Sequence, residues 1–175
     1  MKSMPRFSIV IPVYNRAELI SDAIQSVLSQ RFSDFELICV DDGSTDNTAS
    51  VIQNMAEKNS RIRLIQLTKN EGRCIARNSG ILAAQADWIC FLDSDDEFLP
   101  NHLETLDNLI SQYGSKYYAF VTEKTKSGRP YTYPEKKYYR KSLVVELDDF
   151  ISNNPLSIIT LCYNYKKSLQ LFINE

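Results

Sequence analysis

The chain has 175 residues, enough for one domain whose core needs no disulfide, and its 43% hydrophobic and 24% charged residues exclude a disordered protein. Its formal net charge of −2 argues against general binding of nucleic acid or other polyanions. No signal-peptide pattern opens the chain, and no apolar stretch approaches the ~20 residues of a membrane span. The sequence therefore predicts a cytoplasmic protein that is soluble or peripherally attached to the inner face of the membrane.

The first part of the chain alternates between short apolar strands and amphipathic helices. Strands are predicted at 7–13, 36–40, 61–67 and 88–92. Helices are predicted to start after Asn15, after Asp46, at Cys74 and at Pro100. Asn15 and Glu18 have the spacing of a capping box, and Asp46 is placed to cap the second helix. This order predicts an α/β fold with a doubly wound, mostly parallel sheet flanked by helices.

The residue composition and the periodicity of the sequence change after Gly114. Between Lys116 and Lys141 there are eight Lys or Arg, two Glu and six Tyr, with poor periodicity. This stretch is interpreted either as a solvated loop or as a surface for an acceptor or a membrane. Short strands are predicted at 120–122 and 131–133, a helix at 147–152 and an apolar segment at 155–163. This change divides the chain into residues 1–114 and residues 115–175.

The cysteines and the single histidine are interpreted as structural residues. No Cys-x-x-Cys pair occurs, and Cys39 and Cys90 lie inside apolar runs, as reduced core cysteines do. His102 is predicted to be an exposed helix residue. These residues therefore do not predict a zinc site.

Two acidic clusters follow apolar strands, and ligands of parallel sheets bind just beyond the carboxyl ends of the strands. Asp41 and Asp42 open the first cluster, where turn chemistry is the alternative reading. The second cluster spans 93–97 and holds four acids in five residues, more than the dipole of the following helix requires. Oxygen-only ligands favour Mg²⁺ or Mn²⁺, which often complete their shell with substrate phosphates.

Arg73 and Arg77 lie near the start of the helix between the third and fourth strands. Arginine at that end opposes the helix dipole, so we expect an acidic neighbour or a phosphate there. The alternative is a solvated surface arginine. Arg77 is the stronger candidate of the two.

Four motifs together resemble the family 2 glycosyltransferases, which have the GT-A fold. They cover residues 6 to about 112 and are Pro12-Val13-Tyr14-Asn15, the loop Asp41 to Asp46, Asn70-Glu71-Gly72 continuing to Ala76-Arg77-Asn78-Ser79-Gly80, and Leu92 to Asp96.

The resemblance implies an inverting, metal-dependent transfer of a sugar from a nucleotide diphosphate donor, most commonly a UDP-sugar, in polysaccharide or glycan biosynthesis. It implies a saccharide or lipid-linked acceptor and Mn²⁺ or Mg²⁺ as cofactor. Within an Asp-x-Asp motif, it makes Asp95 the first metal ligand, with Asp93 and Asp96 beside it. It implies that the nucleotide is bound by Pro12, Val13, Tyr14, Asn15, Asp41, Asp42, Arg77, Asp93 and Ser94.

In the family, the general base that deprotonates the acceptor comes from a later acidic motif. That motif is expected beyond Glu175, with Glu175 itself, Asp148 and Asp149 as weak substitutes. The resemblance therefore implies a GT-A domain that is incomplete at its carboxyl end, with the nucleotide-sugar (donor) binding half at 1–114 and the truncated start of the acceptor-side half at 115–175. The alternative function is a catalytically silent module that binds nucleotide sugars.

Overall fold

The computed structural model describes residues 4–114, 119–121, 125–126, 129–130 and 161–164. Its elements in chain order are β1 (Phe7–Val13), α1 (Ile20–Leu28), β2 (Phe35–Asp41), α2 (Thr48–Lys58), β3 (Ile62–Gln66), α3 (Arg73–Ala83), β4 (Trp88–Phe91), α4 (His102–Tyr113), β5 (Ala119–Val121), β6 (Thr125–Lys126), β7 (Arg129–Pro130) and β8 (Leu161–Asn164).

Six strands form one mixed sheet in the order β3-β2-β1-β4-β8-β5. Strands β1 to β4 are parallel to one another, and β8 runs antiparallel to both β4 and β5. The mostly parallel sheet is the predicted one, and β5 lies where a short strand was expected. The end of the predicted apolar segment, 161–163, belongs to β8. The predicted strand at 131–133 and helix at 147–152 lie outside the described residues.

Helices cover both faces of the sheet because side chains alternate along each strand. Phe7, Ile9 and Ile11 of β1 point into the larger core cluster, which also holds buried side chains of α1, α2 and α4. Val10 points the other way, into a smaller cluster with Ala76 of α3. Both β1 and β2 are buried along their whole length, which explains their nearly continuous apolar sequences.

Helix α3 lies close against β1 at a glycine. A Cβ atom on Gly80 would come within 2.3 Å of Cγ1 of Val10, far inside any normal contact. The absence of a side chain at position 80 therefore sets the distance between this helix and the sheet. Arg77, one turn earlier on α3, is buried by the same close packing.

A buried polar network ties the amino-terminal ends of the strands to the end of α3. Glu36 accepts hydrogen bonds from Ser8 Oγ at 2.6 Å and from the backbone N–H of Gln85 at 2.6 Å. Its other oxygen accepts a bond from Arg63 at 2.9 Å, and Arg63 also donates to the carbonyl of Ala83 at 3.0 Å. The carboxylate at position 36 is thus satisfied by the two neighbouring strands, β1 and β3, and the loop before β4.

The predicted capping box at the start of α1 is wrong. The helix begins at Ile20, after Leu19, and has no side-chain cap. Asn15 instead has a left-handed backbone (φ 50°) and directs its side chain to the loop after β2. A tertiary contact has therefore replaced the local one that the Asn15 and Glu18 spacing predicts. Asp46 is not the N-cap residue of α2, which is Asn47, but it accepts a bond from the N–H of Thr48, the first residue of the helix, at 2.9 Å.

Candidate functional site

The carboxyl ends of β1, β2 and β4 meet at one edge of the sheet. Val13 pairs with Asp41 in the parallel register, and the N–H of Asp42 donates to the carbonyl of Val13 at 2.8 Å. Pro12 lies one residue before Val13. The pairing between β1 and β4 ends at Val10, so the N–H that proline lacks is not needed for hydrogen bonds between these two strands. This register brings the first two sequence motifs side by side.

Asn15 joins the loop after β1 to the loop after β2. Its Oδ1 accepts a hydrogen bond from the N–H of Thr45 at 2.8 Å, and its own N–H donates to Ser44 Oγ at 2.9 Å. The left-handed conformation at Asn15 is one that asparagine tolerates better than most residues. Tyr14, immediately before it, is 41% exposed and accessible to a ligand.

Asp46 and Thr48 extend this link between the two loops. The hydrogen bond from the Thr48 hydroxyl is the main cause of a lowered pKa for the Asp46 carboxyl. Thr48 Oγ1 in turn accepts a bond from the N–H of Arg16 at 2.9 Å. Thr48 could not be identified from the sequence, because a threonine in the first turn of a helix is common in any protein.

Asp41 and Asp42 are both buried and both bind backbone N–H groups. Asp41 Oδ1 accepts a bond from Ser44 at 3.1 Å, within its own loop. The two oxygens of Asp42 accept bonds from Glu71 at 2.8 Å and Gly72 at 2.9 Å, at the start of α3. Asp42 therefore fixes the loop between β3 and α3 against the end of β2.

Gly43 permits this close approach of the two loops. Its φ of +69° is a conformation that side chains disfavour, and a Cβ there would come within 2.5 Å of the Lys69 carbonyl carbon. The sequence Asp41-Asp42-Gly43 thus has a structural reason for its glycine as well as for its carboxylates.

Arg77 has the acidic neighbour that the sequence analysis expected. Its Nη2 donates to Asp93 Oδ1 at 2.7 Å, and its guanidinium carbon lies 5.8 Å from the centre of the Phe91 ring. The side chain is 11% exposed, and its Nε has no hydrogen-bond partner. A buried donor without a partner is costly. Arg73 lies exposed at the first position of α3.

Asp93, Asp95 and Asp96 come together in the loop after β4. One carboxylate oxygen from each lies within 4.8 Å of the others, and Asp95 is exposed while its two neighbours are half-buried. A backbone bond from the N–H of Asp96 to the carbonyl of Asp93, at 3.1 Å, forms the turn that gathers them, and Ser94 lies buried within it. This all-oxygen donor set fits Mg²⁺ or Mn²⁺ and not zinc.

His102 lies near this loop but is not the exposed residue that the sequence predicts. Its ring stacks on Phe98, with centroids 4.0 Å apart. Burial lowers the pKa of His102 to about 4, because the charged imidazolium would lose its hydration there. The pattern of helix positions could not show this, since Phe98 lies in the loop before the helix.

Two further polar residues that the sequence analysis missed contact the same loop from α1 and the turn after it. Ser26 and Gln30 are 8% and 7% exposed and form hydrogen bonds to residues 98–103. The available signal was a polar pair at i and i+4 beside an apolar helix stripe. The candidate bases Asp148, Asp149 and Glu175, and nearly all of the basic and tyrosine-rich stretch, lie outside the described residues.

The chain matches the family model described as "Glycosyl transferase family 2" over residues 8–164. TuaG of Bacillus subtilis (strain 168), whose name assigns it to teichuronic acid biosynthesis, is 29% identical over 168 residues, 95% of this chain. A Campylobacter jejuni protein named GalNAc(5)-diNAcBac-PP-undecaprenol beta-1,3-glucosyltransferase is 38% identical over 104 residues, 59% of this chain. The crystal structure of S. aureus TarS 1-349 in complex with UDP superposes with a TM-score of 0.77 and 25% identity over 96% of this chain.

The chain spans only part of each of these proteins: 65% of TuaG, 34% of the Campylobacter protein and 49% of the TarS chain. The superposition supports the predicted GT-A fold, with its mixed sheet between two layers of helices. Within the part of the chain that the structure describes, no helix is long and apolar enough to cross a membrane.

Proposed function

Because the chain belongs to glycosyl transferase family 2, we propose that it takes part in transferring a sugar from a nucleoside diphosphate donor to an acceptor hydroxyl, with a divalent cation at the acidic loop. The observation that carries this proposal is the convergence of three carboxylates, from Asp93, Asp95 and Asp96, beside the buried guanidinium of Arg77. Carboxylates alone would repel a diphosphate. A cation between them, together with the arginine, makes the site attractive to one.

We assign the nucleoside to the pocket edge formed by the first two loops. Tyr14 offers an accessible ring, while Val13, Asn15 and Asp41 hold the loops that frame it. Asp42 binds two backbone N–H groups through its two oxygens, and a carboxylate has lone pairs left for a further donor such as a base N–H. In this proposal Asp42 serves both the loop and the base.

The diphosphate is assigned to the other side of the site. Asp95 is the exposed member of the cluster and is proposed as the first cation ligand, with Asp93 and Asp96 beside it. A cation held there supplies a Lewis acid that stabilises the departing nucleoside diphosphate. Arg77 orients Asp93 through the bond from its Nη2 and adds a positive charge beside the carboxylates. We propose transfer with inversion, in which an acceptor hydroxyl attacks from the face opposite the leaving group.

The donor class and the acceptor are proposed by similarity. The TarS chain was crystallised with UDP, and the Campylobacter relative is named for a lipid-linked saccharide acceptor. TuaG is named for the synthesis of a polysaccharide. We therefore propose a UDP-sugar donor and a saccharide or lipid-linked acceptor.

The first test is a thermal-melt titration of the 175-residue chain with UDP, GDP, CDP and dTDP, each with and without Mn²⁺. A ligand at 100 times its dissociation constant adds about 2.7 kcal/mol, which corresponds to a rise in melting temperature of roughly 5 to 10 °C. We expect the rise with UDP and Mn²⁺ together. No rise with any of the four nucleotides would contradict the proposal.

The cation assignment is tested by Asp95→Asn, with Asp34→Asn as control because Asp34 is also an exposed carboxylate but precedes the amino-terminal end of β2. We expect Asp95→Asn to lose the Mn²⁺-dependent part of the UDP response and to keep the ligand-free melting temperature. Asp34→Asn should behave as the unchanged chain. Release of sugar from UDP-sugars by the purified chain would separate a transferase from a silent binding module.

A further inference from the structure

The loop that carries the acidic cluster is irregular from residue 92 to residue 101 and depends on other elements for its shape. Its internal backbone bonds are short-range turns, such as the one from Asp96 to Asp93. On the α3 side, Asp93 is bound by Arg77. Its second half, residues 97–101, passes along the carboxyl end of α1.

Helix α1 and the turn after it bind this second half and the first turn of α4 through four hydrogen bonds. Ser26 Oγ accepts a bond from the N–H of Phe98 at 3.1 Å. Gln30 donates to the carbonyl of Leu99 at 2.7 Å and accepts from the N–H of Leu103 at 3.0 Å. The N–H of Arg31 donates to the carbonyl of Pro100 at 3.0 Å.

The side-chain amide of Gln30 is matched to its partners at both ends. Its oxygen faces a backbone N–H, that of Leu103, and its nitrogen faces two carbonyls, those of Leu99 and Ser26 at 2.7 and 3.1 Å. The partners fix which end of the amide is oxygen, because an N–H can only donate and a carbonyl can only accept. No other side chain of this length supplies two donors and an acceptor in this arrangement.

Gln30 also caps the amino-terminal end of α4, which the residue directly before the helix does not cap. The residue before that helix, Asn101, makes no side-chain capping bond, so the first N–H groups need partners from elsewhere. Leu103 is in the first turn of α4 and its N–H is bound by Gln30. The start of the helix and the end of the acidic loop are thus fixed by the same side chain.

From these contacts we propose that Ser26 and Gln30 are positioning residues for the cation and diphosphate site. They touch neither ligand. They hold residues 98–103 so that the carboxylates of Asp93, Asp95 and Asp96 stay gathered before a ligand arrives. Ser26 lies on α1 and Gln30 in the turn after it, and both form hydrogen bonds with residues 98–103. This inference rests on the proposed function, since it concerns the loop that would bind the cation.

The test measures UDP binding by calorimetry, with and without Mn²⁺, for the unchanged chain and for Gln30→Met. Methionine keeps the length and apolar contacts of the side chain but makes none of its three hydrogen bonds. Ser29→Ala is the matched control, because the Ser29 hydroxyl donates only to carbonyls of α1 at Gln25 and Ser26. Ser26→Ala, which removes the bond from Phe98 and the bond that the Ser26 hydroxyl donates to the carbonyl of Ala23 at 2.7 Å, is the milder second variant.

For Gln30→Met we expect the dissociation constant for UDP in Mn²⁺ to rise about tenfold, while UDP binding without the metal changes less than about twofold. Ser26→Ala should change the metal-dependent constant in the same direction by a smaller factor, and Ser29→Ala should leave it unchanged. The amides of Phe98 and Leu103 should exchange faster with solvent in Gln30→Met.

Equal weakening of UDP binding with and without Mn²⁺ would overturn the positioning role, because it would indicate general loss of stability. Unchanged binding in Gln30→Met would overturn it as well and would leave the proposed function standing. If the unchanged chain binds no nucleotide in Mn²⁺, the proposed function itself fails, and the positioning role falls with it.

Discussion

Asp42 offers a prediction about stability that needs no ligand. It is 3% exposed and accepts two backbone hydrogen bonds, from Glu71 and Gly72, that join β2 to the start of α3. We consider Asp42→Asn, which keeps the size of the side chain and replaces one acceptor oxygen by an NH₂ group. That NH₂ donor then faces a backbone N–H, so one bond is lost and the other loses its charge assistance.

The expected cost follows from these two bonds. Hydrogen bonds to charged groups contribute about 1.5 to 3 kcal/mol each. Glu71 is exposed and Gly72 half-buried, so water partly replaces the lost partner. We therefore expect Asp42→Asn to lower the free energy of unfolding by about 2 kcal/mol, a fall in melting temperature of roughly 4 to 8 °C for a chain of this size.

The assay combines thermal and urea unfolding with amide exchange at Glu71 and Gly72. Asp41→Asn is the control, because Asp41 accepts a single bond through Oδ1, which asparagine can also supply, and should lose less than about 1 kcal/mol. The reasoning is refuted if the two variants lose equal stability. It is refuted as well if the amides at 71 and 72 stay protected in Asp42→Asn.

Two other predictions concern packing and pH. Gly80→Ala should lower the free energy of unfolding by about 2 kcal/mol, because the new Cβ would lie 2.3 Å from Cγ1 of Val10. In urea unfolding, the double variant Gly80→Ala with Val10→Ala should lose less free energy of unfolding than the sum of the two single variants. The pKa of His102 is lowered from 6.5 to about 4 on folding, so its contribution to stability is complete above pH 6.5 and is lost as the pH falls toward 4. The unchanged chain should therefore lose about 2 kcal/mol more than His102→Phe between pH 7 and pH 5; parallel pH curves would contradict this assignment.

The strands of the sheet could be predicted because each one is indicated by a short run of neighbouring residues in the sequence. Runs such as Phe7–Val13 and Phe35–Asp41 are apolar at nearly every position, which is typical of strands buried on both faces. The acids at the ends of β2 and β4 followed from the same pattern, since strand ends in a parallel sheet share an edge. The sequence did not predict the direction of β8, because four residues contain no information about which neighbour they pair with.

The contacts that shape the site were less predictable because their partners are distant in sequence. Asn15 has the spacing of a helix cap, yet its side chain binds Thr45, 30 residues away. Gln30 binds Leu103, 73 residues away. Propensity and spacing describe what a residue does with its neighbours in sequence, and a tertiary hydrogen bond of similar strength can replace that local choice.

The links made by Asn15 and Asp42 join three successive loops, those after β1, β2 and β3, into one unit. A ligand that binds beside these loops has little of their backbone left to immobilise, and each rotamer-rich side chain that need not be ordered on binding saves about 0.5 to 1.5 kcal/mol. The chain has thus already lost much of the conformational entropy of these three loops on folding, before any ligand binds. Association of the proposed nucleotide ligand should accordingly be fast, with little slow conformational relaxation. This is the behaviour expected when the binding site is already formed in the free protein.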